Sequence, residues 1–138
     1  MNQFIRLTPS PERERDRGKR VDAVLVRASS ITHFLDYETH VEIYNASLKN
    51  HWREWVKDRP EDFIESLPGF IKLTLDPMHY GNRSSLYVRT ACITHAELLP
   101  GGRGGRKMTT LHFSADYQWS YHVSESLEEI YDLIKAAS

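Results

Sequence analysis

The segment most suggestive of binding chemistry is rich in glycine and arginine and has the sequence PGGRGGRK at residues 100–107. Glycines let consecutive backbone N–H groups turn toward an anion, and arginine adds bidentate hydrogen bonds to phosphate. Arg-Gly-Gly segments also bind single-stranded nucleic acid. We therefore take Arg103, Arg106 and Lys107 as candidate phosphate ligands. The alternative is a solvated hairpin tip, in which glycine only adds flexibility.

Three further residues complete the predicted phosphate-binding set. Arg27 and Arg89 each follow a valine on a predicted strand, so they lie on the strand face opposite that valine. Tyr117 offers an aromatic ring on which a base could stack. A mixed-charge stretch at 12–20, ERERDRGKR, could assist. Its acids would oppose phosphate contacts, and a solvated loop is the simpler interpretation.

Two histidines occupy matching positions, because His33 and His95 each follow the dipeptide Ile-Thr. A symmetric arrangement could bring them together as a polar pair. Two imidazoles alone make a poor zinc site, and Asp36, His40 and Glu97 lie near them in sequence without recurring. We therefore predict no metal and no other cofactor. The favoured interpretation is a pair of partly exposed residues at strand ends, with an acid–base role as the alternative.

Sequence patterns of known catalytic sites are incomplete. The tripeptide HFS at 112–114 resembles the His-x-Ser/Thr motif of two-histidine phosphoesterases, but its counterpart HFL at 33–35 lacks the hydroxyl. Cys92, the single cysteine, lies in a predicted strand, where a small apolar filler is the expected role. The sequence contains no nucleophile elbow, phosphate-binding Walker loop or zinc-type ligand spacing. We therefore do not predict an enzyme.

The composition restricts the class of protein. The chain has 138 residues, of which 40% are apolar and 27% charged, and this composition excludes collagen, coiled coil and disorder. Its formal net charge of −1 provides no general attraction to nucleic acid or anionic membranes. No apolar stretch is long enough for a membrane span, and the N-terminus does not resemble a signal peptide. A lone cysteine needs no oxidising compartment, so we expect a cytoplasmic protein.

The same sequence pattern occurs twice along the chain. FIRLT at 4–8 reappears as FIKLT at 70–74, and VRASSITH at 26–33 reappears as VRTACITH at 88–95. A third block follows in the same order, matching Trp52, Val56, Glu61, Asp62, Phe63, Ile64 and Leu67 with Trp119, Val123, Glu128, Glu129, Ile130, Tyr131 and Ile134. Three collinear matches predict a tandem duplication.

The duplication predicts two units, residues 1–68 and 69–138, each of four strands and a helix. The strands are predicted at 4–8, 24–31, 41–44 and 52–56, and at 70–74, 86–93, 109–115 and 119–123. Asp58 with Glu61 should cap the first helix, and Ser126 with Glu129 should form a capping box at the second. The second helix has an apolar stripe of Leu127, Ile130, Tyr131 and Ile134. We expect an α+β fold of two ββββα units with antiparallel sheets, related by a pseudo-twofold axis and sharing one core.

The closing motif VSESLEEI at 123–130 resembles that of small FlbD-like proteins of flagellar and swarming motility, which are about one unit long. The first unit retains Val56, Glu61 and Asp62 of the motif, while the family's Asn-Pro after the second strand is absent from both units. The resemblance implies an accessory factor without a known active site. Similar short units also occur in small phage proteins.

These patterns favour a non-catalytic binding or regulatory protein that engages a protein partner through its sheet edges and hairpin loops. One alternative is binding of a phosphate-bearing ligand, either a nucleotide or a single-stranded nucleic acid, through the Gly-Arg-rich loop. A phosphoesterase-like enzyme is the other. Exposed strand edges pair readily with one another, so a homodimer is a further expectation.

Overall fold

A computed structural model of the chain describes the backbone of six segments. They are residues 3–10, 22–45, 52–81, 84–100, 107–114 and 118–137, with the side chains of Trp52, Arg53 and Gln118 outside the description. The chain divides into two compact units, Met1–Pro68 and Gly69–Ser138. The prediction of an α+β fold with mostly antiparallel sheets and few helices is confirmed. Within these segments, no helix has both the length and the apolar character needed to cross a membrane.

The first unit combines an antiparallel strand pair with an antiparallel meander. Its elements are β1 (Phe4–Leu7), β2 (Val24–Arg27), β3 (Ile31–Asp36), β4 (Val41–Asn45), β5 (Trp52–Val56) and α1 (Pro60–Phe63). β1 pairs with β2, β3 with β4, and β4 with β5. The segment after β1 also meets the end of β5, since Pro9 bridges Val56.

The second unit follows the same order and adds a short helix. Its elements are β6 (Phe70–Thr74), α2 (Pro77–Tyr80), β7 (Ser85–Arg89), β8 (Ile93–Leu99), β9 (Met108–Ser114), β10 (Gln118–Val123) and α3 (Leu127–Ala137). β6 pairs with β7, and the other three strands form a sheet in the order β10-β9-β8. Leu75, just after β6, forms a β-bridge with Val123 at the end of β10, as Pro9 does with Val56 in the first unit.

The number of strands per unit differs from the prediction. Each stretch predicted as one strand, 24–31 and 86–93, is divided by a 3₁₀ turn, Ala28–Ser30 or Thr90–Cys92. Five strands in each unit are therefore described, rather than four. Both turns lie directly before the tripeptide Ile-Thr-His, where the period-two pattern of the flanking residues does not reveal them.

The two units differ in how deeply they bury their third strand. β3 is buried along nearly its whole length, with Ile31 and Phe34 fully excluded from solvent and Leu35 nearly so. β8 is at an edge of its sheet and is largely exposed, including the apolar side chains of Leu98 and Leu99. Matching sequence positions thus occupy a core strand in one unit and a surface strand in the other.

The helix caps confirm one prediction and correct another. Ser126 and Glu129 form the predicted capping box, because each backbone N–H donates to the other's side chain, at 3.2 and 3.1 Å. Asp58 does not cap α1; its carboxylate accepts from the Thr8 N–H at 2.6 Å. Arg59 is the N-cap instead, and its N–H donates to Asp62 at 2.8 Å. Because Asp58 bonds to Thr8, just after β1, the local spacing of Asp58 and Glu61 did not predict the cap correctly.

Replacing Leu111 with alanine tests the core of the second unit, because this β9 side chain is fully buried. We expect Leu111→Ala to lower the free energy of unfolding by about 2–5 kcal/mol, through lost burial and the cavity left behind. The matched variant Leu25→Ala shortens a side chain that is 68% exposed. It should cost less than about 0.5 kcal/mol. Urea denaturation measures both, and equal losses would contradict the packing of β9.

Candidate functional site

One face of the β8–β9–β10 sheet gathers most of the second unit's histidines. The register places His95 opposite His112 and Glu97 opposite Thr110, and Thr110 is also opposite His122. Side chains alternate between faces along a strand, so these five residues share one face, which we term the histidine face. The opposite face is apolar and carries the buried side chains of Leu111, Phe113, Tyr121 and Val123.

Three residues of this face converge closely, and we term them the His-Glu-His triad: His95, Glu97 and His112. The Oε1 atom of Glu97 lies 3.3 Å from Nε2 of His95 and 2.7 Å from Nε2 of His112. The two imidazole rings stack, with centroids 4.3 Å apart and planes inclined by 8°. All three side chains are solvent-accessible, so the triad is an open surface cluster.

A hydroxyl beside the triad sets the tautomer of His95. Thr94 Oγ1 donates its single proton to the carbonyl of His112 at 3.1 Å. Its 3.0 Å contact with Nδ1 of His95 must therefore be accepted from an Nδ1–H group. In the neutral ring this leaves the lone pair on Nε2, which is the atom that faces Glu97.

A second cluster on the same unit has a structural role. Asp76 caps α2 by accepting from the Met78 N–H, and its other oxygen lies 2.9 Å from Nδ1 of His79. The ring of His79 lies 4.6 Å from that of His122, whose Nδ1 is 3.0 Å from Thr110 Oγ1. Burial lowers the pKa of His122, with further lowering by His79 and His112, against the opposing effect of Asp76. These groups join α2 to β10.

The matching histidine of the first unit belongs to the core. His33 is fully buried and stacks on Tyr44 at 4.3 Å and 8°, the same geometry as His95 on His112. Burial lowers the pKa of His33 to about 3. The two histidines were expected to be partly exposed residues at strand ends. This expectation is wrong for His33, which is buried within β3, whereas His95 is exposed as expected. Because β3 is covered and β8 is not, the same residue type meets opposite environments.

The predicted phosphate ligands are only partly described. Arg103, Arg106 and Tyr117 lie outside the described residues. The guanidinium of Arg27 lies 4.7 Å from the ring centroid of Phe4, and that of Arg89 lies 4.7 Å from that of Phe70. These cation–π contacts give both arginines a role in stabilising strand pairs.

Lys107 is exposed and lines a cavity of about 150 Å³. Asp76 lines the same cavity. Its carboxylate disfavours an anion there because like charges repel.

The structure bears on two candidates for catalysis, the Cys92 thiol and the phosphoesterase-like motif. Burial raises the pKa of the Cys92 thiol, against the opposing effect of Arg89, which makes it a weak nucleophile. His112 and Ser114 of the phosphoesterase-like motif do line one cavity, of about 110 Å³. Its proposed counterpart His33 is fully buried and so is inaccessible to a substrate.

An apolar groove runs between β8 and α3. Its volume is about 490 Å³, and its lining includes Ile93, Ala96, Ile130, Tyr131 and Ile134. The predicted apolar stripe of α3 is only partly covered, because Tyr131 remains 62% exposed while Ile130 is buried. The groove is therefore open surface rather than core.

No family model, curated protein or solved structure matches the chain. Its function must therefore be inferred from the geometry of its own residues.

The sequence indicated Glu97 only as a residue near His95 along the chain and gave no sign that His112 is a neighbour; the structure places both beside His95. One signal was present, since His95 and Glu97 are two residues apart on a predicted strand and therefore share a face. The position of His112 depended on the register of β8 against β9, which the sequence does not specify.

His33 should make the stability of the fold depend on pH. Burial lowers its folded-state pKa from 6.5 to about 3, so between these values the unfolded chain binds one more proton. The free energy of unfolding should therefore rise with pH across this window and fall as the solution is acidified. This one group contributes up to about 1.4 kcal/mol per pH unit.

The variant His33→Phe, which keeps an aromatic ring against Tyr44, should lose this contribution. Urea denaturation at a series of pH values between about 4 and 6 measures the slope. Leu35→Ala weakens the same strand without removing the titrating group, and it should retain the wild-type slope. Identical slopes in the wild type and His33→Phe would contradict a buried, neutral His33.

Proposed function

We propose that the protein is a non-catalytic binding protein that accepts an extended segment of a partner protein along β8. The observation that carries the proposal is the combination of an edge strand with an adjoining apolar groove. β8 is the outer strand of the β10-β9-β8 sheet, and the groove between it and α3 measures about 490 Å³. An added strand would obtain backbone hydrogen bonds from β8 and bury its apolar side chains in the groove.

The exposed residues of β8 support this proposal. Strand edges that are exposed to solvent can pair with other chains. Here the strand ends in Leu98 and Leu99, which are 48% and 37% exposed. Tyr131 and Leu127 extend the apolar surface on α3. Burying such side chains on binding yields about 25 cal/mol per Å² of apolar surface.

The non-catalytic part of the proposal rests on the state of the nucleophile and base candidates. Cys92 has a raised pKa, His33 is buried, and Asp76 both caps α2 and contacts His79. The lone Cys92 also suits a reducing compartment, so we place the protein in the cytoplasm in this proposal.

We also propose that the chain arose by duplication of one unit, with the FlbD-like resemblance indicating the type of unit. Matched contacts support this origin. Both units contain a bulge after the isoleucine that opens β3 or β8 and a stacked pair led by the following histidine. Both contain an arginine 4.7 Å from an aromatic ring of the first strand.

Site-specific photo-crosslinking tests the docking proposal. A photoreactive residue placed at Tyr131, in the full chain expressed in the cells that naturally contain it, should capture one defined protein. The same residue placed at Met78, which is 79% exposed and does not line the groove, should not capture it. Mass spectrometry identifies the captured protein and the crosslinked peptide.

A second substitution in the crosslinking chain provides the control. Leu98→Lys puts a charge on β8, the strand that borders the groove, and should abolish capture. Leu25→Lys, at an exposed position of β2 in the first unit, should leave it unchanged. Equal capture from Met78, or capture that survives Leu98→Lys, would contradict the proposal. A product made of two copies of this chain would show that the groove closes a homodimer and would contradict a separate partner.

A further inference from the structure

We propose that the His-Glu-His triad of His95, Glu97 and His112 is a binding site for one divalent transition metal ion of the zinc class. The inference is independent of the docking proposal, because it rests on three side chains rather than on the groove. Their ligand atoms all lie within 4.8 Å of one another. Two imidazoles and one carboxylate form a recurrent three-ligand set for zinc, in which the fourth position remains open.

The β-sheet provides the spacing that such a site requires. His95 and Glu97 are two residues apart on β8 and so share a face, while His112 is directly opposite His95 on β9. Opposed residues of an antiparallel pair have Cβ atoms only about 5 Å apart. Three ligands thus converge from two rigid, hydrogen-bonded strands, and little conformational freedom would be lost on binding.

The two distances to Glu97 are close to those of a coordinated ion, and one of the two stacked rings, whose planes are inclined by 8°, must turn for both Nε2 lone pairs to point at that ion. Zinc–nitrogen and zinc–oxygen bonds of about 2.0–2.2 Å at tetrahedral angles place neighbouring ligand atoms roughly 3.3 Å apart. Glu97 Oε1 lies 3.3 Å from Nε2 of His95 and 2.7 Å from Nε2 of His112. The shorter distance is a hydrogen bond, and it must lengthen by about half an ångström as the metal replaces the proton.

The tautomer of His95 is the one that metal binding needs. Because Thr94 accepts the Nδ1–H of His95, the neutral ring presents an unprotonated Nε2 toward Glu97. Two acceptors, this nitrogen and the Glu97 carboxylate, then face each other at 3.3 Å. Such a pair is repulsive unless a proton or a metal cation lies between them. Thr94 is therefore a positioning residue, which orients the ligand without touching the ion.

The donor set indicates the class of metal. Imidazole nitrogen suits zinc, copper, nickel and iron, whereas calcium and magnesium prefer sites made of oxygen atoms alone. The side chains of His95, Glu97 and His112 are 56%, 46% and 31% exposed. Solvent can therefore reach the site and supply water for the remaining position.

The strand pair β3–β4 of the first unit carries other residues at the positions of the triad. Tyr44 occupies the position of His112, and Leu35 that of Glu97, since each lies at the same place relative to the repeated histidine. His33 is then packed in the core instead of facing solvent. These natural replacements identify substitutions that the strand pair tolerates: Glu97→Leu and His112→Tyr.

Calorimetric titration of the metal-free full chain with Zn²⁺, using protein made without a polyhistidine tag, tests the proposal. We expect one ion per chain, and Co²⁺ should give the visible absorption of a low-coordinate nitrogen and oxygen site. Glu97→Leu and His112→Tyr should each weaken Zn²⁺ binding by at least about 100-fold, because each removes a ligand. Thr94→Val, which removes only the positioning hydroxyl, should weaken it by about 10-fold to 100-fold.

The matched control is His40→Gln, which removes a histidine from the first unit and should leave Zn²⁺ affinity and stoichiometry unchanged. Circular dichroism establishes that each variant is folded, and Glu97→Gln, of nearly equal volume, repeats the test if Glu97→Leu is not. Zn²⁺ binding that is as tight in the Glu97 variants as in the wild type would overturn the proposal. So would binding that is lost in His40→Gln.

Discussion

The register of β8 against β9 is the constraint on which the surface chemistry of the second unit depends. A bulge between Ile93 and His95 shifts the pairing so that His95 is opposite His112. Because side chains alternate along a strand, a slip of one residue would turn His95, Glu97 and their neighbours toward the apolar side of the sheet. Such a slip is resisted because it would place the imidazole of His95 and the carboxylate of Glu97 on the face where Leu111 and Phe113 are buried. Core packing on one face thus holds the polar cluster in place on the other.

The two units show how burial changes the role of a repeated residue. His33 and His95 have the same threonine beside them and the same stacked aromatic partner geometry. In β3 the surroundings exclude water, so the imidazole stays neutral over an unusually wide pH range. In β8 the ring is exposed and faces a carboxylate. The local contacts of the two histidines are alike, and they differ in their access to solvent.

β8 presents two kinds of surface at once, an apolar edge and a polar face. His95 lies where they meet, because it belongs to the triad and also lines the groove beside α3. An extended segment bound along the edge and a cation held by the triad would be neighbours on the same strand. The chemistry proposed for this protein is therefore concentrated on the one described strand of its sheet that is both at an edge and largely exposed.

Local sequence patterns were sufficient for features that depend on neighbouring residues. Alternation placed the strands, and the Ser126 and Glu129 pair predicted the cap of α3, because both reflect contacts within a few positions. Local patterns gave the wrong result where a residue distant in sequence competed for the same side chain. Asp58, for example, accepts a hydrogen bond from Thr8 and does not cap α1.

By itself, the amino-acid sequence determined the α+β character, the approximate positions of the strands and the matching local sequences around His33 and His95. Only the tertiary structure decided that one of these histidines is buried, that β8 is exposed, and that Glu97 and His112 join His95. The physical reason is that periodicity is a property of the local chain, whereas strand register and solvent access arise from pairing between segments far apart in sequence.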